Sequence, residues 1–319
     1  MSVPHHPFRF GVVNDVRVEP CGWSEHVKRV EALGFSTFLI RDHILPDFFG
    51  PQLAPLTALA TAAAVMERLH VGTLVCSNDF RHPAFLAKEA ATLDALSGGR
   101  FELGLGAGWL RSEYEAAGID LDGAGTRIDR LVESLQILRG LLRGERVSFE
   151  GGHYALAGIE NYPPPAQPGG PPLLIGGGKR RMLQLAGKYA DIVSVLTTSV
   201  ASGVVDDAPD ERMPAEVERK LSWIRAGAGE RYAEIELSLI PTLLVSADRR
   251  KSAAEVIAQR GWEGLTPDEV LAMPSMLIGN HDELAETLVE RRRYGFSYYV
   301  FSDGRLDDVA PLVGALSGR

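Results

Sequence analysis

Residues 71–109, VGTLVCSNDFRHPAFLAKEAATLDALSGGRFELGLGAGW, end two apolar runs in groups that can touch a ligand. The first run closes on Cys76, Ser77, Asn78 and Asp79, and the second on Gly106, Gly108 and Trp109. Bare glycine backbone beside a large aromatic can wall a flat ring, or it can be plain strand-end packing. Asp42-His43 offers either an imidazole oriented by its neighbour or a polar turn pair. Gly176-Gly177-Gly178-Lys179-Arg180 joins a third apolar run to a helical stretch. Glycine N–H groups, a helix start and two basic side chains suit a phosphate. A tight strand-to-helix turn would use the same residues. Position 180 is Arg where a P-loop needs Ser or Thr, and position 109 is Trp where a dinucleotide fingerprint needs Gly. Cys76 reads as buried sulfur, because no histidine partner can be assigned to it.

These groups need elements that bring them together. Strands are expected at 8–13, 35–40, 70–76, 101–105, 173–175, 191–196, 235–245 and 297–301, closing on Asn14-Asp15, Asp42-His43, Ser77, Gly106, Gly176, Thr197-Thr198 and Ser302-Asp303. Helices are expected after Ser24 as N-cap, at 53–68, from Pro83, at 124–143, from Lys179 to Tyr189, at 214–226 and from about 305. Thr266-Pro267-Asp268-Glu269 and Asn280-His281-Asp282-Glu283 are capping boxes. Insertions fall near 146–170, with a small hairpin and a Pro/Gly linker, near 197–213 and near 250–279. Residues 197–213 have no period and several acids, which reads as a mobile loop at a strand end. Eight strand–helix units favour an α/β (β/α)8 TIM barrel over residues 1–319, with function at the C-terminal strand ends. An open doubly wound sheet has the same alternation.

Composition narrows the function classes. A net charge of −9 over 319 residues leaves no basic footprint for nucleic acid and disfavours an anionic membrane surface. Two cysteines make no disulfide framework, so a cytoplasmic setting is expected, with no signal peptide and no membrane helix. No His-x-His follows the first strand and no His-Glu-x-x-His occurs, so no metal site is expected.

Taken together, residues 71–109, RDH at 41–43 and PPLLIGGGKRRMLQLAGKYADIVSV at 171–195 resemble the luciferase-like monooxygenase superfamily, on its coenzyme F420-dependent side. The resemblance implies a barrel with a deazaflavin or flavin in its mouth. It implies a cis peptide at Leu74–Val75 pressing on the cofactor ring, with Ser77 beside it. It places Gly106, Gly108 and Trp109 along one wall, and the backbone of Gly176, Gly177 and Gly178, with Lys179 and Arg180, at the cofactor phosphate. His43, oriented by Asp42, becomes the group for proton transfer, Trp109 shapes the substrate pocket, and residues 197–213 form a lid. Two departures matter: Gly106 stands where bacterial luciferase has a reactive cysteine, and Trp109 stands where F420-dependent sugar-phosphate dehydrogenases have an acidic proton donor. The expected function is hydride transfer between coenzyme F420 and a small-molecule substrate, in a homodimer. An FMN-dependent monooxygenase and a non-catalytic flavin-binding protein are the alternatives.

Overall fold

The computed structural model describes residues 4–16, 19–46, 49–200 and 203–319. Its strands are β1 (Arg9–Val13), β2 (Thr37–Ile40), β3 (His70–Thr73), β4 (Cys76–Ser77), β5 (Phe101–Gly106), β6 (Val147–Glu150), β7 (Ala155–Ile159), β8 (Leu173–Gly177), β9 (Ile192–Val195), β10 (Glu236–Leu239), β11 (Thr242–Val245), β12 (Met276–Gly279) and β13 (Phe296–Ser302). The main sheet runs β3-β2-β1-β13-β10-β9-β8-β5-β4, every pairing parallel. Pairing of Val71 with Phe101 and Gly72 with Glu102 joins β3 to β5 and closes it. The expected barrel is therefore present, with β4 continuing β3 beyond the cis Leu74–Val75 peptide.

Period-two alternation divides each strand between two cores. Phe10, Val12, Phe38, Leu103, Leu105 and Val193 pack with helix residues such as Leu86, Leu135 and Leu183 in an outer layer. Val13, Leu39, Leu174, Ile192, Tyr298 and Val300 cluster separately, without any helix residue, and so fill the interior. The floor of the barrel is ionic. Arg9 donates to Glu102 at 2.6 Å, to Glu236 at 2.6 Å and to Thr37 at 3.0 Å, with its guanidinium 3.5 Å over the Tyr298 ring. Burial opposes the Arg9 charge, but Glu102 and Glu236 outweigh it and hold its pKa above the ordinary value.

Several boundaries differ from expectation for local reasons. The strand expected at 235–245 is two strands, because Pro241 has no N–H to continue the ladder. Its second half, β11, leaves the barrel and pairs with β12 in a separate two-stranded sheet. Around that sheet Val256, Trp262, Val270, Met273 and Ile278 form their own small core. The helix given to a Ser24 cap begins at Trp23 instead, fed by a 3-10 turn at Pro20–Gly22, with Gly22 as the N-cap. Both capping boxes are present, on Thr266 with Glu269 and on Asn280 with Glu283. The hairpin in 146–170 is β6–β7. Two helices were not expected: Arg249–Arg260, in the region read as an insertion, and Arg111–Ala117, directly after Trp109.

Candidate active site

All barrel strands are parallel, so their C-terminal ends share one rim. The Arg111–Ala117 helix governs what the rim does. Glu113, in its first turn, is buried at 2% exposure and accepts from the backbone N–H of Ile44 at 2.6 Å and of Leu45 at 3.2 Å. Its second oxygen lies 3.0 Å from His43 Nδ1. A carboxylate can only accept, so Nδ1 carries the proton and Nε2 is left for chemistry. The His43 ring is flanked by Phe49, with centroids 4.8 Å apart, and by Trp109 at 5.9 Å.

Asp42 does not orient His43, contrary to the sequence-based expectation. Its carboxylate faces the next strand end, where it accepts from the Ser77 N–H at 3.0 Å and from both terminal nitrogens of Arg81. Consecutive residues at a strand end point to opposite sides, so Asp42 and His43 cannot share one target. Asp42 instead fastens the chain just beyond the cis peptide. Cys76 beside it is fully buried, and burial, with Asp42 adding to it, pushes its thiol up to about 12. Cys21 is exposed. Under native conditions near pH 8 a disulfide reagent such as DTNB should therefore release one equivalent of chromophore per chain quickly, rising to two on denaturation; two fast equivalents would contradict the burial of Cys76.

The glycines of the rim divide into two kinds. A Cβ on Gly106 would lie 2.8 Å from Val75 Cγ2, and one on Gly104 would lie 3.0 Å from Val75 Cγ1. These glycines make the recess that receives Val75, and the Val75 side chain stands where a bare glycine wall was expected. Gly108 has φ +73°, and its absent side chain leaves room for the Tyr114 hydroxyl, with Ser77 Oγ also close. Its bare side is thus taken up by this chain's own residues. Tyr114 donates to Asp79 at 2.9 Å and lies 3.3 Å from Ser77 Oγ, and Arg130 anchors Asp79 at 2.8 Å. Gly176 is different, since a Cβ there would meet only Val75 Cγ1, at 3.9 Å.

Gly177 and Gly178 are packing glycines in the sense of the turn reading. Side chains there would run into Met182, and into the carbonyls of Leu196 and Thr198. The helix that follows, Arg180–Tyr189, has no side-chain cap on its N-terminal N–H groups. Lys179 is not an uncommitted cation, because it is paired with Glu211, while Arg180 is exposed. Glu211 also binds the buried Lys220 at 2.7 Å, and these two lysines lower its pKa against the effect of burial.

The remaining expected strand-end groups are structural. Asp303 accepts from Asn14 Nδ2 at 2.6 Å and from the N–H groups of Asp15 and Val16, with His26 Nε2 at 2.9 Å. Asp15 pairs with Arg41. Residues 203–213 are anchored rather than loose. Arg212, 6% exposed, joins Asp207 to Ser275 at 3.0 Å and to Thr197 at 3.3 Å. Gly203 accepts from the Arg111 N–H at 3.3 Å, which lays this segment against the Trp109 loop. Of the acids that looked like a solvated loop, Asp207 and Glu211 are ion-pair partners and Asp206 accepts from the Ala208 N–H.

Sequence reading missed Glu113, Tyr114 and Phe49. A signal for the first two existed: Leu110 and Tyr114 are one helical turn apart, and Gly118 ends the helix in the left-handed conformation. Seven residues are too few to show a periodic stripe. Nothing local marks Phe49.

A family model described as luciferase-like monooxygenase matches residues 22–295. An F420-dependent glucose-6-phosphate dehydrogenase of Amycolatopsis mediterranei is 36% identical over 148 residues, 45% of this chain and 44% of that protein, so the match spans under half of the relative's length. The enzyme of the same name from Microbacterium testaceum is 28% identical over 293 residues, 86% of this chain and 84% of its own. Among solved structures, the coenzyme F420 dependent tetrahydromethanopterin reductase from Methanopyrus kandleri superposes with a TM-score of 0.73 at 19% identity, covering 98% of this chain and 99% of that one. That likeness speaks to the fold.

Proposed function

The chain belongs to the luciferase-like monooxygenase family, and from that premise we propose that the barrel mouth holds coenzyme F420 and a small organic substrate, making the protein an F420-dependent oxidoreductase. The observation that carries this reading is the His43–Glu113 pair. A buried carboxylate 3.0 Å from Nδ1 leaves a half-buried imidazole with a single nitrogen, Nε2, to hold or give a proton at the strand ends. Bound F420 supplies a hydride donor or acceptor at one carbon of its ring. Names borne by the relatives point to the same cofactor.

The residues fit such a group. Leu74 and Val75 present an apolar edge, backed by Gly106, against which a flat ring can lie, and the open space beside Gly176 would take its rim. Ser77, held by Asp42, and Gly108 with Tyr114 keep the second side of the recess rigid. The uncapped N–H groups at the start of the Arg180–Tyr189 helix, reached through Gly177 and Gly178, suit a phosphate, with Arg180 as the nearby cation and Lys179 lending what Glu211 leaves it. Trp109 and Phe49 exclude water from the imidazole. His43 then sets proton delivery, and the rim sets the approach of substrate to the ring. Trp109 also leaves sugar-phosphate oxidation without its acidic donor, so the substrate in the relatives' names is not carried over.

Retention of cofactor separates this reading from the flavin one. Protein incubated with F420 and with FMN, then desalted, is expected to keep F420 absorbance and to lose FMN. Retention of FMN alone would make the protein a flavin-dependent monooxygenase instead.

A further inference from the structure

We propose that the first turn of the Ala124–Leu142 helix is a second anion site on the rim, and that it takes carboxylates of the cofactor's oligoglutamyl tail. This rests on the reading that F420 occupies the mouth. Two independent observations meet at that turn. The first is the helix end itself. Gly123 caps it without a side chain, no acid stands in its first turn, and the N–H groups of Ala124, Gly125 and Thr126 have no partner among the described residues. These three residues are exposed, and nothing lies within 4 Å of where a Gly123 Cβ would stand. Free N–H groups with the positive end of a 19-residue helix behind them favour an anion. The second observation is Arg127, 8% exposed and without an ion-pair partner among the described residues. Its Nε has no acceptor, and its Nη1 donates to the Asp122 carbonyl, which folds the guanidinium back to the helix entry. A buried guanidinium ordinarily has an acid beside it. Here Asp122 pairs with Arg130 and Asp129 with Arg181, and the exposed Asp120 makes no ion pair with Arg127. An incoming carboxylate supplies the missing charge and accepts from the free N–H groups.

Position ties this turn to the cofactor. Arg181, in the first turn of the Arg180–Tyr189 helix, donates to the Gly125 carbonyl at 3.2 Å, so two helix N-termini without side-chain caps lie side by side. The neighbouring one is the phosphate site proposed above. Packed helices lie about 8–10 Å apart. Coenzyme F420 continues from its phosphodiester through a lactyl unit into glutamyl units, and three such units reach up to about 10 Å. A phosphodiester on one helix end therefore leaves glutamyl carboxylates within reach of the other. FMN ends at its phosphate and has nothing to place there.

The test uses full-length protein and two deazaflavins: F420 carrying at least two glutamyl units, and its precursor that ends at lactyl phosphate. Titration calorimetry reads both affinities without turnover. Both ligands are expected to bind, F420 about tenfold tighter than the precursor. Arg127→Gln and Thr126→Asp are each expected to weaken F420 about tenfold and to leave the precursor unchanged, so that the two affinities converge. Thr126→Asp guards against misfolding, because the position is exposed and a carboxylate in the first turn stabilises a helix. Equal affinity of the two ligands in the unaltered protein overturns the proposal. A tail advantage that survives in Thr126→Asp also overturns it, whether or not Arg127→Gln folds. Failure of both deazaflavins to bind overturns the cofactor reading and this one with it, whereas binding of both without preference overturns this one alone.

Discussion

Glu113→Gln is expected to lower turnover about 100-fold or more while leaving the barrel folded. The substitution keeps the shape and removes the chemistry. The carboxylate accepts from three N–H groups, those of Ile44, Leu45 and His43. A carboxamide has one accepting oxygen and one donating nitrogen. If the oxygen keeps the two backbone groups, the nitrogen confronts His43 and forces its proton onto Nε2, the wrong tautomer for taking a proton and an unsupported site for holding one. Loss of packing alone would show in stability and not in a specific coupling, so a double-mutant cycle decides. His43→Ala should cost a similar factor, and the double variant should be no slower than His43→Ala. Multiplicative losses would mean that Glu113 acts on the loop at Ile44–Leu45 and not through the imidazole. Glu113→Asp, which keeps an acceptor but shortens its reach, should recover part of the rate.

Two glycines on neighbouring strands are expected to respond in opposite ways. Gly104→Ala places a methyl group 1.9 Å from the Thr73 carbonyl oxygen, backbone that cannot rotate away. The barrel should lose about 3 kcal/mol, seen as a melting temperature roughly 4–5 °C lower. Gly176→Ala puts its methyl into space bounded only by Val75 Cγ1 at 3.9 Å. Its melting temperature should stay within the range of about 1 kcal/mol, yet F420 should bind at least about tenfold more weakly, because the methyl fills the edge proposed for the ring. Wild-type F420 affinity in Gly176→Ala would remove the ring from that edge. Wild-type stability in Gly104→Ala would mean that β5 can shift away from β3, which the closed pairing of Gly72 with Glu102 argues against.

Much of the frame was legible in the chain because it is written in local periods. Strands such as Phe101–Gly106 are nearly continuous apolar runs, as parallel strands buried on both faces must be. The Ala124–Leu142 helix shows its stripe, and Pro and the capping residues mark where the later helices begin. The cis Leu74–Val75 peptide came from resemblance and is present. The site was less legible. Asp42 and His43 are adjacent in sequence and were read as partners, yet the strand end turns them apart, one to Ser77 and Arg81, the other to Glu113. Residues 203–213 looked unstructured because their order comes from Arg212 and Lys220 reaching distant partners, and ion pairs leave no period behind.

By itself, then, the sequence determined the alternation of strands and helices, the rim on which polar groups and glycines gather, and the family. These depend on propensity and spacing, which act between near neighbours. Tertiary structure alone decided which carboxylate serves His43, which glycines are filled by Val75 and Tyr114 and which one stays open, and that Phe49 joins Trp109 at the imidazole. Each of those is a contact between segments that meet only when the barrel closes. Their energies lie in close approach and desolvation, quantities set by distance in space that no spacing along the chain records.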